Sequence, residues 1–276
     1  MPFNDLLQLT IKKHNSMLCV GLDPIFDKIP AKFKNQEEPL YEFCKYIVDE
    51  TSEFASCFKP NSAFFEAEGS NGLAQLKKIV DYIKSSFPEL LVILDAKRGD
   101  IDSTNEGYVK FAFSYLKADA ITLSPYLGRE AMTPFLNLKE KGCIFLCKTS
   151  NNGSAEFQNL QLVSKKNLKV DKSDSSNLFE YLAKQIEYSW NENNNCMLVA
   201  GATNPNDLKK IRECAPTLPI LIPGVGAQGG DLKLSVQNAS DSNKSGILIA
   251  VSRSIIYSDN PRKEAGNIRD EINSYL

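Results

Sequence analysis

Histidine occurs once in this 276-residue chain, as His14 in a polar helical segment far from every other signal. That argues against a Ser/His/Asp triad and a His-based metal site, because each needs an imidazole among its other groups. An excess of charge of either sign is also missing: 34 acidic residues face 32 basic ones, for a formal charge of -2. Such a balance builds no field for nucleic acid or an anionic membrane, and leaves a small molecule as the expected partner. No run reaches the ~18 apolar residues of a membrane helix. The opening "MPFNDLLQLTIKKHNSMLCVG" lacks the basic stretch and long apolar core of an export signal, so a soluble, cytoplasmic protein is expected. Paired CxxC spacing is absent too. The seven cysteines fall mostly inside apolar runs such as "MLCVGLD" and "GCIFLCKTS", where they read as small buried hydrophobes in a reducing compartment. Neither an internal repeat nor a low-complexity tract stands out.

Short apolar runs ending in Gly, Pro, Asn or Asp recur eight times: "MLCVGLDP" (17–24), "CFKPN" (57–61), "LLVILDAK" (90–97), "AITLSPY" (120–126), "CIFLCKTS" (143–150), "CMLVAGATN" (196–204), "PILIPGVG" (219–226) and "GILIAVSRS" (246–254). They are continuous rather than alternating, which marks strands buried on both faces of a parallel sheet. Helical patterns such as "GLAQLKKIVDYIKSSF" and "NPNDLKKIRECA" lie between them, several opening on a Ser, Asn or Gly that suits an N-terminal cap. Eight β/α alternations predict an α/β fold, a single-domain (β/α)8 TIM barrel over residues 1–276. A doubly wound open sheet is the alternative, weakened by the strand count and by the absence of GxGxxG after the first strand. The polar Ser/Asn/Lys-rich stretch around 151–178 is too long for a plain connection and predicts a surface excursion after the fifth strand.

In such barrels the active site lies at the carboxyl ends of the strands. The residues there are Asp23, Lys59, Asp95 with Lys97, Ser124, Thr149 with Ser150, Asn204, the "PGVGAQGG" loop, and Ser252 with Arg253. "LLVILDAKRGDI" (90–101) runs a buried strand straight into charge. Along a strand Asp95 and Lys97 face the same side, and Asp100 follows at the turn into a helix near Ser103. Two flanking carboxylates keep an amine protonated, since opposite charges at ~4 Å attract by roughly 4 kcal/mol at an effective dielectric of ~20. An ammonium so held can protonate carbon as a general acid. A solvated βα loop with an incidental ion pair fits the same residues. The loop "PGVGAQGGD" (223–231) follows the seventh strand and Arg253 ends the eighth, the usual place for a phosphate held by backbone N–H groups and an arginine fork. A flexible connection is the plainer reading of the glycines alone. Lys59 also fits a surface lysine with a buried stem, and Asp23 in "GLDP" a turn residue.

Together these pieces resemble the orotidine 5'-phosphate decarboxylase family. "VGLDP", "FKPNSAFFE", "LDAKRGDIDST", "PYLG", "KTSNNGS", "PGVGAQGGD" and "AVSRSI" stand in the family's order over nearly the whole chain. The "DAKRGDI" core resembles the branch common in bacteria. The resemblance implies decarboxylation of orotidine 5'-phosphate to UMP in pyrimidine biosynthesis, without cofactor or metal. It implies that Asp23 and Lys59 contact the ribose hydroxyls, that Asp95 lies against the substrate carboxylate, and that Lys97 protonates C6. It further implies that Asp100 and Thr104 reach across a homodimer interface into the neighbour's site. Ser150 would read the pyrimidine edge, while Gln228 and Arg253 hold the phosphate under a closing loop that begins at Pro223. Two positions depart from the pattern: Asp102 stands where many members have Gly, and Asn152 replaces a usual Pro. Two other readings stay open. One is a metal-dependent barrel of the same superfamily, of the hexulose phosphate synthase or ketogulonate phosphate decarboxylase type, which resembles this chain in D-x-K-x-x-D but carries an acidic metal ligand where Lys59 stands. The other is a catalytically silent barrel that only binds nucleotides or a partner protein.

Overall fold

The computed structural model describes residues 1–162, 176–226 and 229–276. Eight parallel strands close into one barrel in chain order: β1 (Leu18–Leu22), β2 (Cys57–Pro60), β3 (Leu91–Arg98), β4 (Ala120–Leu123), β5 (Gly142–Lys148), β6 (Cys196–Ala200), β7 (Ile220–Pro223) and β8 (Ile247–Val251). Closure is between β1 and β8, with Leu18 opposite Ile249. Nearly every strand residue is buried, as the unbroken apolar runs predict for a sheet with its interior filled by side chains and helices on its outer face.

The helices owe their positions to one apolar stripe each. Pro39–Thr51 buries Leu40, Phe43, Ile47 and Val48, and Gly69–Ser86 buries Leu76, Ile79, Val80 and Ile83, spacings of three and four that keep one face on the barrel. Asp231 and Asn260 accept backbone N–H groups of Leu234 and Lys263 and so start the helices Leu232–Ala239 and Pro261–Ser274. The polar-looking segment around His14 is a helix, Phe3–His14, that buries Phe3, Leu7 and Ile11. It closes the end of the barrel opposite the site. The Phe3 N–H donates to the Lys139 carbonyl (3.0 Å), and its ring lies where a Cβ at Gly142, the first residue of β5, would come within 2.5 Å.

Part of the excursion expected around 151–178, residues 163–175, lies outside the described residues. Flanking it are a short helix, Ala155–Gln158, and an antiparallel ribbon of Gln161–Leu162 with Ser176–Asn177. Six cysteines are buried, Cys214 is half-buried, and none is in a disulfide. Burial raises the thiols of Cys44, Cys57, Cys143, Cys147 and Cys196, the last to about 12, so these five are packing groups rather than nucleophiles at neutral pH. Among the described residues no helix is long and apolar enough to cross a membrane.

Candidate active site

The carboxyl ends of β2 and β3 bring Lys59 and Asp95 together in the barrel mouth. Both are buried, and the Lys59 ammonium donates to Asp95 Oδ2 at 2.9 Å. Lys97 donates to the other oxygen, Oδ1, at 2.6 Å, while half of its side chain stays exposed. One carboxylate therefore bridges two ammoniums. Burial alone would raise the Asp95 carboxyl, but the two lysines override it and hold the group well below the usual carboxylate range. Burial alone would likewise lower Lys59, and the carboxylates of Asp95 and Asp23 hold it above the usual lysine range.

These directions fix the pH window of the pair. Asp95 titrates near 3.9 when unfolded and lower when folded, so its stabilisation is complete above that value and is lost only as pH falls through the depressed one. Lys59 titrates near 10.4 when unfolded and higher when folded; its contribution is complete below that value and is lost as pH rises through the raised one. The expected result is an Asp95 carboxyl carbon whose NMR shift stays at its ionised position from pH 7 down to about pH 4. A midpoint above pH 5 would contradict the array.

The geometry that joins Lys97 to Asp95 is not the simple alternation of a strand. Pairing of β3 with β4 runs from Leu94 opposite Ile121 to Arg98 opposite Leu123, so residues 95–97 face the single residue Thr122. Lys97 takes a left-handed backbone, φ +48. Thr122, fully inside the barrel wall, accepts the N–H groups of Ala96 (3.0 Å) and Lys97 (2.9 Å) and donates to Asp95 Oδ1 (2.9 Å). A lone Thr in the apolar run "AITLSPY" carries no sequence signal for this contact. Arg98 turns away to Glu66 and the Tyr108 ring.

Asp23, Lys59, Pro223, Gly224, Val225 and Arg253 line a cleft of about 90 Å³ at the ends of β1, β2, β7 and β8. Asp23 Oδ1 is buried there with no hydrogen-bond partner among the described residues. Gly21 lets β1 approach the turn after β8, since a Cβ would come within 2.6 Å of Ser252 Cβ. Gly224 and Gly226 hold φ of +98 and +74, and the loop folds back so that the Gly230 N–H donates to the Gly224 carbonyl (3.1 Å). Gln228 lies outside the described residues. Arg253 is exposed and makes no ion pair among the described residues. Among the described residues, Lys59, Lys97 and Arg253 stand against Asp23 and Asp95 around this mouth, an excess of positive charge that suits an anion.

Three expected residues are not joined to this group within the chain. Asp100 accepts its neighbour Ile101's N–H (2.8 Å) and pairs with no cation among the described residues, so one carboxylate, not two, flanks Lys97. Thr104 is exposed on the helix Asp102–Val109. Ser150 is on the rim after β5, its carbonyl accepting the Thr203 hydroxyl (3.3 Å). Asp102, expected to depart from a glycine, holds φ +46; the turn keeps a backbone shape that glycine adopts without cost. Among the described residues no cluster of three His, Cys, Asp or Glu side chains could hold a metal.

A closed parallel barrel with a lysine–carboxylate–lysine chain at β2 and β3, and a glycine loop and arginine after β7 and β8, defines an α/β-barrel enzyme with its chemistry at the strand ends. Residues 16–268 match the model of the orotidine 5'-phosphate decarboxylase / HUMPS family, and the chain belongs to that family. It is 43% identical over 262 residues to an orotidine 5'-phosphate decarboxylase from Leptothrix cholodnii, covering 93% of this chain and 89% of the relative. The solved OMP decarboxylase of Leishmania donovani superposes with a TM-score of 0.85 at 38% identity, over 100% of this chain and 98% of that one. The UMP synthase of the same organism gives 0.88 at 40% identity over 100% of this chain, which spans 56% of that longer protein.

Proposed function

We propose that this chain decarboxylates orotidine 5'-phosphate to UMP without metal or cofactor, with Lys97 as the proton donor. The observation that carries this reading is the Lys59–Asp95–Lys97 chain beside a cleft lined by the glycine loop and Arg253. Breaking the C6–carboxylate bond releases CO2 and leaves the electron pair on C6 in the ring plane, where no cofactor accepts it. A cation fixed at that place lowers the barrier electrostatically and then supplies the proton. Lys97 is the ammonium with an accessible side chain, and Asp95 orients it. Asp95 also lies against the substrate carboxylate, while Lys59 and the unpartnered oxygen of Asp23 suit ribose hydroxyls. Arg253, Gln228 and the loop from Pro223 take the phosphate, and Ser150 reads the pyrimidine edge.

Homodimerisation completes the site in this reading. The Asp100 carboxylate pairs with no cation among the described residues of its own chain, and Ile101 (54% exposed) and Tyr126 (89% exposed) present apolar surface on neighbouring strand-end loops. Asp100 and Thr104 of one copy then approach the Lys97 of the other. The reaction belongs to the cytoplasm, where its nucleotide substrate and reduced cysteines are at home. Lys59, held by Asp95 where a metal-dependent relative has an acidic ligand, favours decarboxylation over metal-assisted sugar-phosphate chemistry. Purified protein in excess chelator is expected to consume orotidine 5'-phosphate, followed by absorbance. No turnover there, with activity on sugar phosphates when magnesium is added, would replace this reading by the metal-dependent one.

A further inference from the structure

We infer that Thr122 is a positioning residue for the decarboxylation, a side-chain strut that sets the direction of Lys97; the inference rests on the function proposed above. In a regular parallel pair every second N–H of β3 would find a carbonyl on β4, and the N–H groups between them would turn to β2 on the other side. Here β3 advances four residues, Leu94 to Arg98, while β4 advances two, Ile121 to Leu123. A bulge of this kind leaves the extra residues without ladder partners, and buried N–H groups without partners are costly. The Thr122 hydroxyl takes both of them, accepting from Ala96 at 3.0 Å and Lys97 at 2.9 Å.

A hydroxyl has one proton to give and two lone pairs. With both lone pairs engaged by backbone N–H groups, its proton is directed to Asp95 Oδ1 at 2.9 Å, the oxygen that Lys97 Nζ also meets at 2.6 Å. One buried oxygen therefore ties the backbone of Lys97 and the acceptor of its ammonium to the same point. The left-handed φ of Lys97, +48, is a conformation that a lysine leaves when nothing holds it. Neither Lys59 nor Asp95 contacts that backbone, so Thr122 alone among the described residues links the bulge to the charge array.

The test compares the wild-type protein with Thr122→Val, which keeps the branched shape and removes the hydroxyl, and Thr122→Ser, which keeps the hydroxyl. Thr122→Val is expected to lower kcat on orotidine 5'-phosphate about 10²-fold, the cost of a misplacement of about 1 Å. Its affinity for UMP should stay within about threefold, because the loss falls on the transition state rather than on ground-state binding, and Thr122→Ser should recover most of the rate. Wild-type kcat in the valine variant, a parallel loss of kcat and UMP affinity, or a serine variant as slow as the valine one would overturn the inference. Amide exchange at Ala96 and Lys97 in the wild-type protein decides the matter if the valine variant does not fold: slow exchange supports the strut, and exchange at open-loop rates removes it. A wild-type chain without turnover would defeat the decarboxylase reading instead, and the exchange measurement would still report on the strut.

Discussion

Lys97→Ala is expected to lower kcat on orotidine 5'-phosphate at least about 10⁴-fold, because one substitution removes both the general acid and the cation at the developing charge. The fold should tolerate it. Half of the Lys97 side chain is exposed, and Asp95 keeps its buried partner Lys59 and the Thr122 hydroxyl. Affinity for UMP, which has no carboxylate at C6, should change little, so the loss should appear in kcat with the melting temperature preserved. A variant within tenfold of the wild-type rate would remove Lys97 from the role of proton donor.

The second large effect is on stability. Lys59→Met keeps an apolar stem of similar length but strips Asp95 of its buried cation, and removing one member of a buried pair costs about 3–5 kcal/mol. Because Lys97 still touches Asp95, the lower end, about 3 kcal/mol, is expected, or a fall in melting temperature of roughly 6–12 °C for a chain of this size. Adding Asp95→Asn to that variant should return part of the loss, since the neutral amide carries no unpaired charge. Calorimetry on the two variants checks both statements. A Lys59→Met protein as stable as the wild type would mean that the pair contributes nothing to the fold.

Much of this was legible in residue order, for physical reasons. Strands buried on both faces must be apolar throughout, so runs such as "PILIPGVG" and "GILIAVSRS" announced β7 and β8 and placed Pro223 and Arg253 at one mouth. Lys59 and Asp95 were legible as charges where a barrel strand ends. The approach of Lys97 to Asp95 was expected for the wrong geometric reason: period-two alternation does not survive a bulge, and what joins the two is a left-handed residue pinned by a threonine on the next strand. That contact could not be read from Thr122, because a threonine among apolar β-branched neighbours has the ordinary composition of a strand. The flanking role expected for Asp100 fails within one chain because the backbone leaves the barrel at Gly99 and the carboxylate caps its own turn.

Among the described residues the barrel opens at one end. Its far end is shut by the helix Phe3–His14, with the Phe3 ring seated over Gly142, and its interior is packed with side chains rather than hollow. Traffic is therefore two-way through a single door: the nucleotide that leaves must back out along the path by which the next one enters. In the reading proposed here, departing UMP and arriving orotidine 5'-phosphate queue for the same passage, and crowding by product throttles supply.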